Sequence, residues 1–253
     1  MDSPQTKIRP WNELVIPVES SFDEFVVKHG GQLVRDVIGN LNPAKNADYV
    51  FHSPAIVAEL KSMERPAFTE EDSKRLNELA AKWMNLGLIP RFYGTRQMRL
   101  RDVPVTCQRD WLKVLQAPWK KKLELANKQI KQTKVTLKMP NAGGVLFLVN
   151  DAPSWVSPDN AFNLMTRVLR SKKDTGEHVY SHLDCIVYFS INARVIQDGK
   201  GWNFWHPGYR TKDEPIISNF VNRLRDAWFQ YHSNLLGMEK EVFQVPSGTE
   251  EIL

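Results

Sequence analysis

An uninterrupted apolar run, Val145-Leu146-Phe147-Leu148-Val149, follows a chain-breaking Asn141-Ala142-Gly143-Gly144. Such a run leaves no polar face for solvent, so it predicts a strand buried within a sheet. It is far too short to cross a bilayer. A second run, Cys185-Ile186-Val187-Tyr188-Phe189-Ser190-Ile191, reads as another strand. Segments with helical spacing stand around them. Phe22, Phe25, Val26, His29, Leu33 and Val37 predict a helix over 21–38, capped by Ser20 or Ser21 and weakened at Gly30-Gly31. Residues 69–86 predict an acidic helix opened by the capping signature Thr69-Glu70-Glu71-Asp72. Further helices are expected at 110–135, at 158–171, where Pro158 follows Ser157, and at 215–236, where Ile217, Phe220, Val221, Leu224 and Trp228 share a face. The order helix, hairpin, helix, strand, helix, strand belongs to the α/β or α+β classes.

The hairpin carries the chemistry. Tyr49-Val50-Phe51 and Ala55-Ile56-Val57-Ala58 flank a turn at Ser53-Pro54. Centred there, an antiparallel pair sets His52 opposite Ala55, Phe51 opposite Ile56, Val50 opposite Val57, and Asp48 opposite Glu59. Opposed side chains share a face, with Cβ atoms ~4.5–5.5 Å apart. The period of two then adds Lys61 to the face of Glu59. The other face carries Phe51, Ile56, Ala58 and Leu60, which suits a core. Two opposed carboxylates repel each other unless a divalent cation lies between them. Mg²⁺ takes one or two carboxylates and completes its shell with waters and phosphate oxygens. A lysine beside it orients a water and offsets charge developing on a phosphate. This set suits metal-assisted hydrolysis of a phosphodiester. Asp72-Ser73-Lys74 and Asp198-Gly199-Lys200 repeat the acid-x-lysine spacing. The first falls in a predicted helix, where i and i+2 diverge, and the second on a glycine turn.

Asp48 followed by Glu59-Leu60-Lys61 resembles the PD-(D/E)xK superfamily of restriction-endonuclease-like and Holliday-junction-resolvase-like nucleases. The likeness covers about residues 20–62, with topological support to about 191. It implies an α/β fold with a mixed central β-sheet flanked by helices, with helical insertions. It implies one nuclease-like domain over 1–253, with a core at about 15–195 and a C-terminal helical extension at about 200–253. It also implies that Asp48 and Glu59 bind Mg²⁺ (or Mn²⁺), that Lys61 assists the attacking water, and that the substrate is DNA. The family's proline before the first aspartate is Ala47 here, a position that varies. Members often add an acid from the first helix. Asp36 lies on the apolar face by helical periodicity, while Glu24 stands at a more usual distance upstream, and the geometry favours Asp36 as a third metal ligand. Members also often place a Gln or Lys on the helix after the motif strand, a role that Gln129 fits. An enzyme of this kind serves defence against foreign DNA, or repair, under control of a partner protein such as a helicase. The alternative is a catalytically inactive module of the same fold that binds nucleic acid or a protein partner.

Charge agrees with a polyanionic partner. The net charge is +5, yet residues 120–138 alone hold seven lysines against Glu124, a local +6. Lys128, Lys131 and Lys134 are the expected contacts to phosphates, with binding that falls steeply as salt rises. Arg91, Arg96, Arg99 and Arg101 interleave with Phe92 and Tyr93. Trp202, Phe204, Trp205, His206, Tyr209 and Arg210 form an aromatic, basic stretch, expected to pack on its own domain rather than stack on bases. His52 reads as an exposed turn residue, and His182 and Asp184 have no zinc-ligand companions. Two cysteines, 42% hydrophobic and 25% charged residues exclude a disulfide scaffold, a disordered tail and a membrane bundle. A start without a signal pattern predicts a cytoplasmic protein with no membrane association. No feature specifies an oligomer.

Overall fold

A computed structural model describes residues 9–10, 15–39, 45–63, 69–94, 103–150, 158–197, 200–211 and 214–237. The fold is α/β. Nine strands occur among these residues: β1 (Arg9–Pro10), β2 (Gly31–Leu33), β3 (Tyr49–His52), β4 (Ala55–Met63), β5 (Gly143–Asn150), β6 (Cys185–Phe189), β7 (Ala193–Gln197), β8 (Lys200–Trp202) and β9 (Trp205–Tyr209). The six helices are α1 (Val18–Lys28), α2 (Val34–Ile38), α3 (Glu70–Asn85), α4 (Val105–Thr136), α5 (Pro158–Leu169) and α6 (Pro215–Leu235). Six strands form an open mixed sheet in the order β2-β3-β4-β5-β6-β9. The pairs β4–β5 and β5–β6 are parallel and the others antiparallel. β1, β7 and β8 make a small separate sheet.

Both sheet faces are covered, as parallel strands require. On one face α1 and α6 pack Phe22, Phe25, Phe220 and Trp228 against Tyr49, Phe51, Ile56, Phe147 and Phe189. On the other, the C-terminal half of α4 and α5 pack Trp119, Leu123, Ile130 and Met165 against Val57, Leu146, Leu148 and Tyr188. The N-terminal half of α4 instead joins α3 in a small core of its own, built on Trp83, Ile89, Val103 and Cys107. Pro118 stands between the two halves of this 32-residue helix. Phe22 is fully buried and meets five aromatic rings at centroid distances of 5.1–5.7 Å. Phe22→Ala is expected to cost about 3–5 kcal/mol, read as a lowered midpoint in urea unfolding.

Three expectations are corrected. The helix expected over 21–38 is two helices and a strand. Gly30 takes φ +83° and ends the α1 region. Gly31 then opens the edge strand β2, where an added Cβ would lie 2.5 Å from Val26 and 2.7 Å from Phe51. Neither Ser20 nor Ser21 caps α1, because the helix begins three residues earlier with Pro17 at the N-cap. The segment from residue 200 is no helical extension. β9 pairs with β6 as a sheet edge, and α6 is a layer of the core. Phe204 and Trp205 are buried there, in keeping with packing rather than base stacking. The capping box of Thr69 and Asp72 is present as expected. Asp198-Gly199 lies outside the described residues. No described helix is long and apolar enough to cross a membrane.

Candidate active site

The hairpin register predicted from the sequence is the observed one: Tyr49 pairs with Ala58, Val50 with Val57, Phe51 with Ile56 and His52 with Ala55. One step further along, Asp48 meets Glu59 and its neighbour. The Leu60 backbone N–H donates to Asp48 Oδ2 at 2.8 Å. The Lys61 ammonium forms an ion pair with Glu59 Oε1. The three residues therefore converge on one face, at the end of the sheet where β4 and β5 finish and β3 begins.

Burial sets the electrostatics. The Glu59 side chain is 0% exposed and that of Lys61 22%. Glu59 Oε2 receives no hydrogen bond from the described residues. Removal from water, and then the charge of Asp48, push the Glu59 carboxyl up to about 8, against the opposing pull of Lys61. Burial also raises Asp48, while the Leu60 N–H, Lys61 and Glu59 act to lower it. Two ionised carboxylates side by side are thus disfavoured, and Glu59 is the one more readily protonated. A divalent cation would take that proton's place. Two inward carboxylates, one with an oxygen lacking a donor, fit such an ion. Among the described residues no group of three or more His, Cys, Asp or Glu side chains comes together. Two carboxylates are within the number that Mg²⁺ would use.

Neither acid expected from the first helix reaches the pair. Asp36 is exposed on α2, because the break at Gly30-Gly31 removes it from the face on which periodicity placed it. Glu24 is exposed and acts on Tyr231. The acid of α1 that approaches is Asp23. It accepts from the Tyr49 hydroxyl at 2.8 Å, pairs with Arg35 at 2.7 Å, and its charge acts on Asp48. The signal was present in the sequence: Asp23 flanks Val26 on the buried stripe of α1, one turn earlier.

Helix α4 holds the lead-in to Asp48. Thr133 Oγ1 accepts the Ala47 backbone N–H at 2.7 Å, and Gln129 Nε2 donates to the Asn46 carbonyl at 3.2 Å. Gln129 is buried at 8% exposure, and its Oε1 accepts no hydrogen bond from the described residues. Gln129 thus positions the backbone before Asp48. Lys122, counted at first only within the basic run, donates to the Ser62 carbonyl at 3.1 Å, one residue beyond Lys61. Lys128 and Lys131 are exposed, with Lys128 paired to Glu124 at 2.8 Å. Lys134 is not on their face: it turns inward toward Asp184 and is 6% exposed. His52 is exposed, as expected, but it is the last residue of β3 rather than part of the turn, and it lies 3.3 Å from Gln32.

Compared with known proteins, the chain matches no family model, no curated protein and no solved structure.

Proposed function

We propose that this protein is a metal-dependent nuclease of the restriction-endonuclease-like kind that hydrolyses phosphodiester bonds in DNA. The observation that carries the reading is the opposed pair Asp48 and Glu59, the first half-buried and the second fully buried, with the Lys61 ammonium on Glu59 Oε1. A purely structural hairpin would not bury a carboxylate beside a second one, because like charges directly opposed destabilise it. In the proposed reaction Asp48 and Glu59 hold Mg²⁺ or Mn²⁺. The ion supplies Lewis-acid stabilisation of charge on the phosphate. Lys61, beside Glu59, would orient the attacking water or offset charge on the phosphate oxygen. Gln129 and Thr133 keep Asp48 in place. The exposed lysines of α4, Lys128 and Lys131 among them, face the DNA backbone. A nuclease with these parts suits defence against foreign DNA, or repair, inside the cytoplasm, held in check by a partner protein such as a helicase.

The test is incubation of the purified chain with plasmid and linear DNA in Mg²⁺ and in EDTA, beside Lys61→Ala. Cleavage is expected in Mg²⁺ only, and about 100-fold slower or worse in the variant. Cleavage that persists in EDTA or in Lys61→Ala refutes the assignment. The ion pair between Lys61 and Glu59 favours one second reading, a binding module of the same fold whose acid is permanently neutralised. Cation binding separates the two, since that module takes up no Mn²⁺ at Glu59.

A further inference from the structure

A second polar cluster lies where β5 and β6 begin. Asp184 Oδ2 accepts the Gly144 N–H at 2.7 Å, and Asp184 Oδ1 pairs with the Arg210 guanidinium. Arg210 also donates from Nη1 to the Ser181 carbonyl at 2.6 Å. These bonds engage both oxygens of Asp184 and leave Lys134 only long contacts. Its Nζ stands 4.0 Å from Asp184 Oδ2 and 3.5 Å from the His182 carbonyl, although the residue is 6% exposed. An ammonium has three donors to satisfy, and this one makes two contacts, both long. Two more buried nitrogens close by, Arg210 Nε and His178 Nδ1, have no hydrogen-bond partner. The charges of Lys131, Lys134 and Arg210 all act on His182, and those of Arg210 and Lys172 act on His178. Lys131 and Lys172 are exposed at the rim. Glu177, in the same loop, is paired with Lys173 at 3.0 Å.

Two cations, Lys134 and Arg210, thus share one carboxylate that is already engaged, and two more, Lys131 and Lys172, act on the neighbouring histidines, with buried nitrogens left without partners. Desolvating unpaired positive charge is costly without an anion to answer it. A tetrahedral oxyanion supplies several acceptors at once, and Arg and Lys side chains are its usual receptors. We propose that Lys134 and Arg210 form the floor, and Lys131 and Lys172 the rim, of a binding site for a phosphate group. It shares no residue with the Asp48–Glu59 pair. The phosphate is either part of a nucleic-acid backbone or carried by a small phosphorylated compound.

Titration calorimetry of the full chain with inorganic phosphate tests this, in EDTA, with chloride at matched ionic strength as control. The wild type is expected to bind saturably. Lys134→Met is expected to bind about tenfold more weakly, the loss of one charge-assisted hydrogen bond. Lys131→Ala and Lys172→Ala touch no core residue, so a several-fold loss in the pair combined does not depend on refolding a buried site. Phosphate heats equal to those of chloride, or unchanged affinity in both sets of variants, overturn the proposal. A fluorescent DNA duplex in EDTA then identifies the source. Binding weakened in the same variants points to the backbone, and unchanged duplex binding beside lost phosphate binding points to a small compound. Glu59→Gln is expected to leave phosphate affinity unchanged, which keeps this result separate from the fate of the nuclease reading.

Discussion

Glu59→Gln is expected to abolish metal-dependent cleavage and to stabilise the metal-free protein at pH 8. The neutral amide oxygen is a far weaker ligand for Mg²⁺ than a carboxylate. Loss of metal stabilisation worth several kcal/mol means a fall of at least ~10³-fold in rate. The stability change runs the other way. In the unfolded chain Glu59 ionises near the ordinary glutamate value, but burial and Asp48 hold it protonated in the fold up to about 8. The folded state therefore binds the extra proton between these limits. Its stability is full below about pH 4.5 and is lost as pH rises toward about 8. The glutamine is neutral throughout, so it carries no such penalty. Urea unfolding in EDTA from pH 4 to 9 is expected to show the variant level with the wild type at the acid end. Near pH 8 it should be more stable by a few kcal/mol. A parallel pH dependence in the two proteins would show that Glu59 is ionised in the metal-free fold.

Gly144→Ala is expected to be the most destabilising methyl addition among the described glycines. The new Cβ would lie 1.8 Å from the His182 backbone oxygen and 3.2 Å from Ile130. A carbonyl cannot yield as a flexible side-chain end does. Gly144 is also tied on both sides, with its N–H to Asp184 Oδ2 at 2.7 Å and its carbonyl accepting the Asp184 N–H at 2.8 Å. Relief of the overlap must pull β5 from the loop before β6 and break these bonds. The cost is about 4 kcal/mol or more, which for a chain of this size lowers Tm by roughly 10 °C or more. Thermal unfolding followed by circular dichroism checks it. A Tm within 2 or 3 °C of wild type, roughly a 1 kcal/mol effect, would refute this close approach.

The parts of this protein legible in its sequence are those set by neighbours in the chain. The register of β3 and β4 follows from a two-residue period about a local turn, so Asp48, Glu59 and Lys61 fell together before any tertiary contact was known. The cap at Thr69 and the buried run of β5 are local in the same way. What the tertiary structure decided was every feature that depends on which surface a segment meets. Val26 and Phe51 close over Gly31, which turns a continuous helical pattern into a helix and an edge strand and exchanges Asp36 for Asp23 beside Tyr49. Pairing with β6 makes a strand of an aromatic stretch that has no strand pattern of its own. The packing of α4 on the sheet turns Lys134 inward and holds the lead-in to Asp48 through Gln129 and Thr133. The protonation of Glu59 belongs to this second group as well. Residue type and spacing place a carboxylate opposite another, but only burial, a property of the whole packed fold, removes the water that would have kept both ionised.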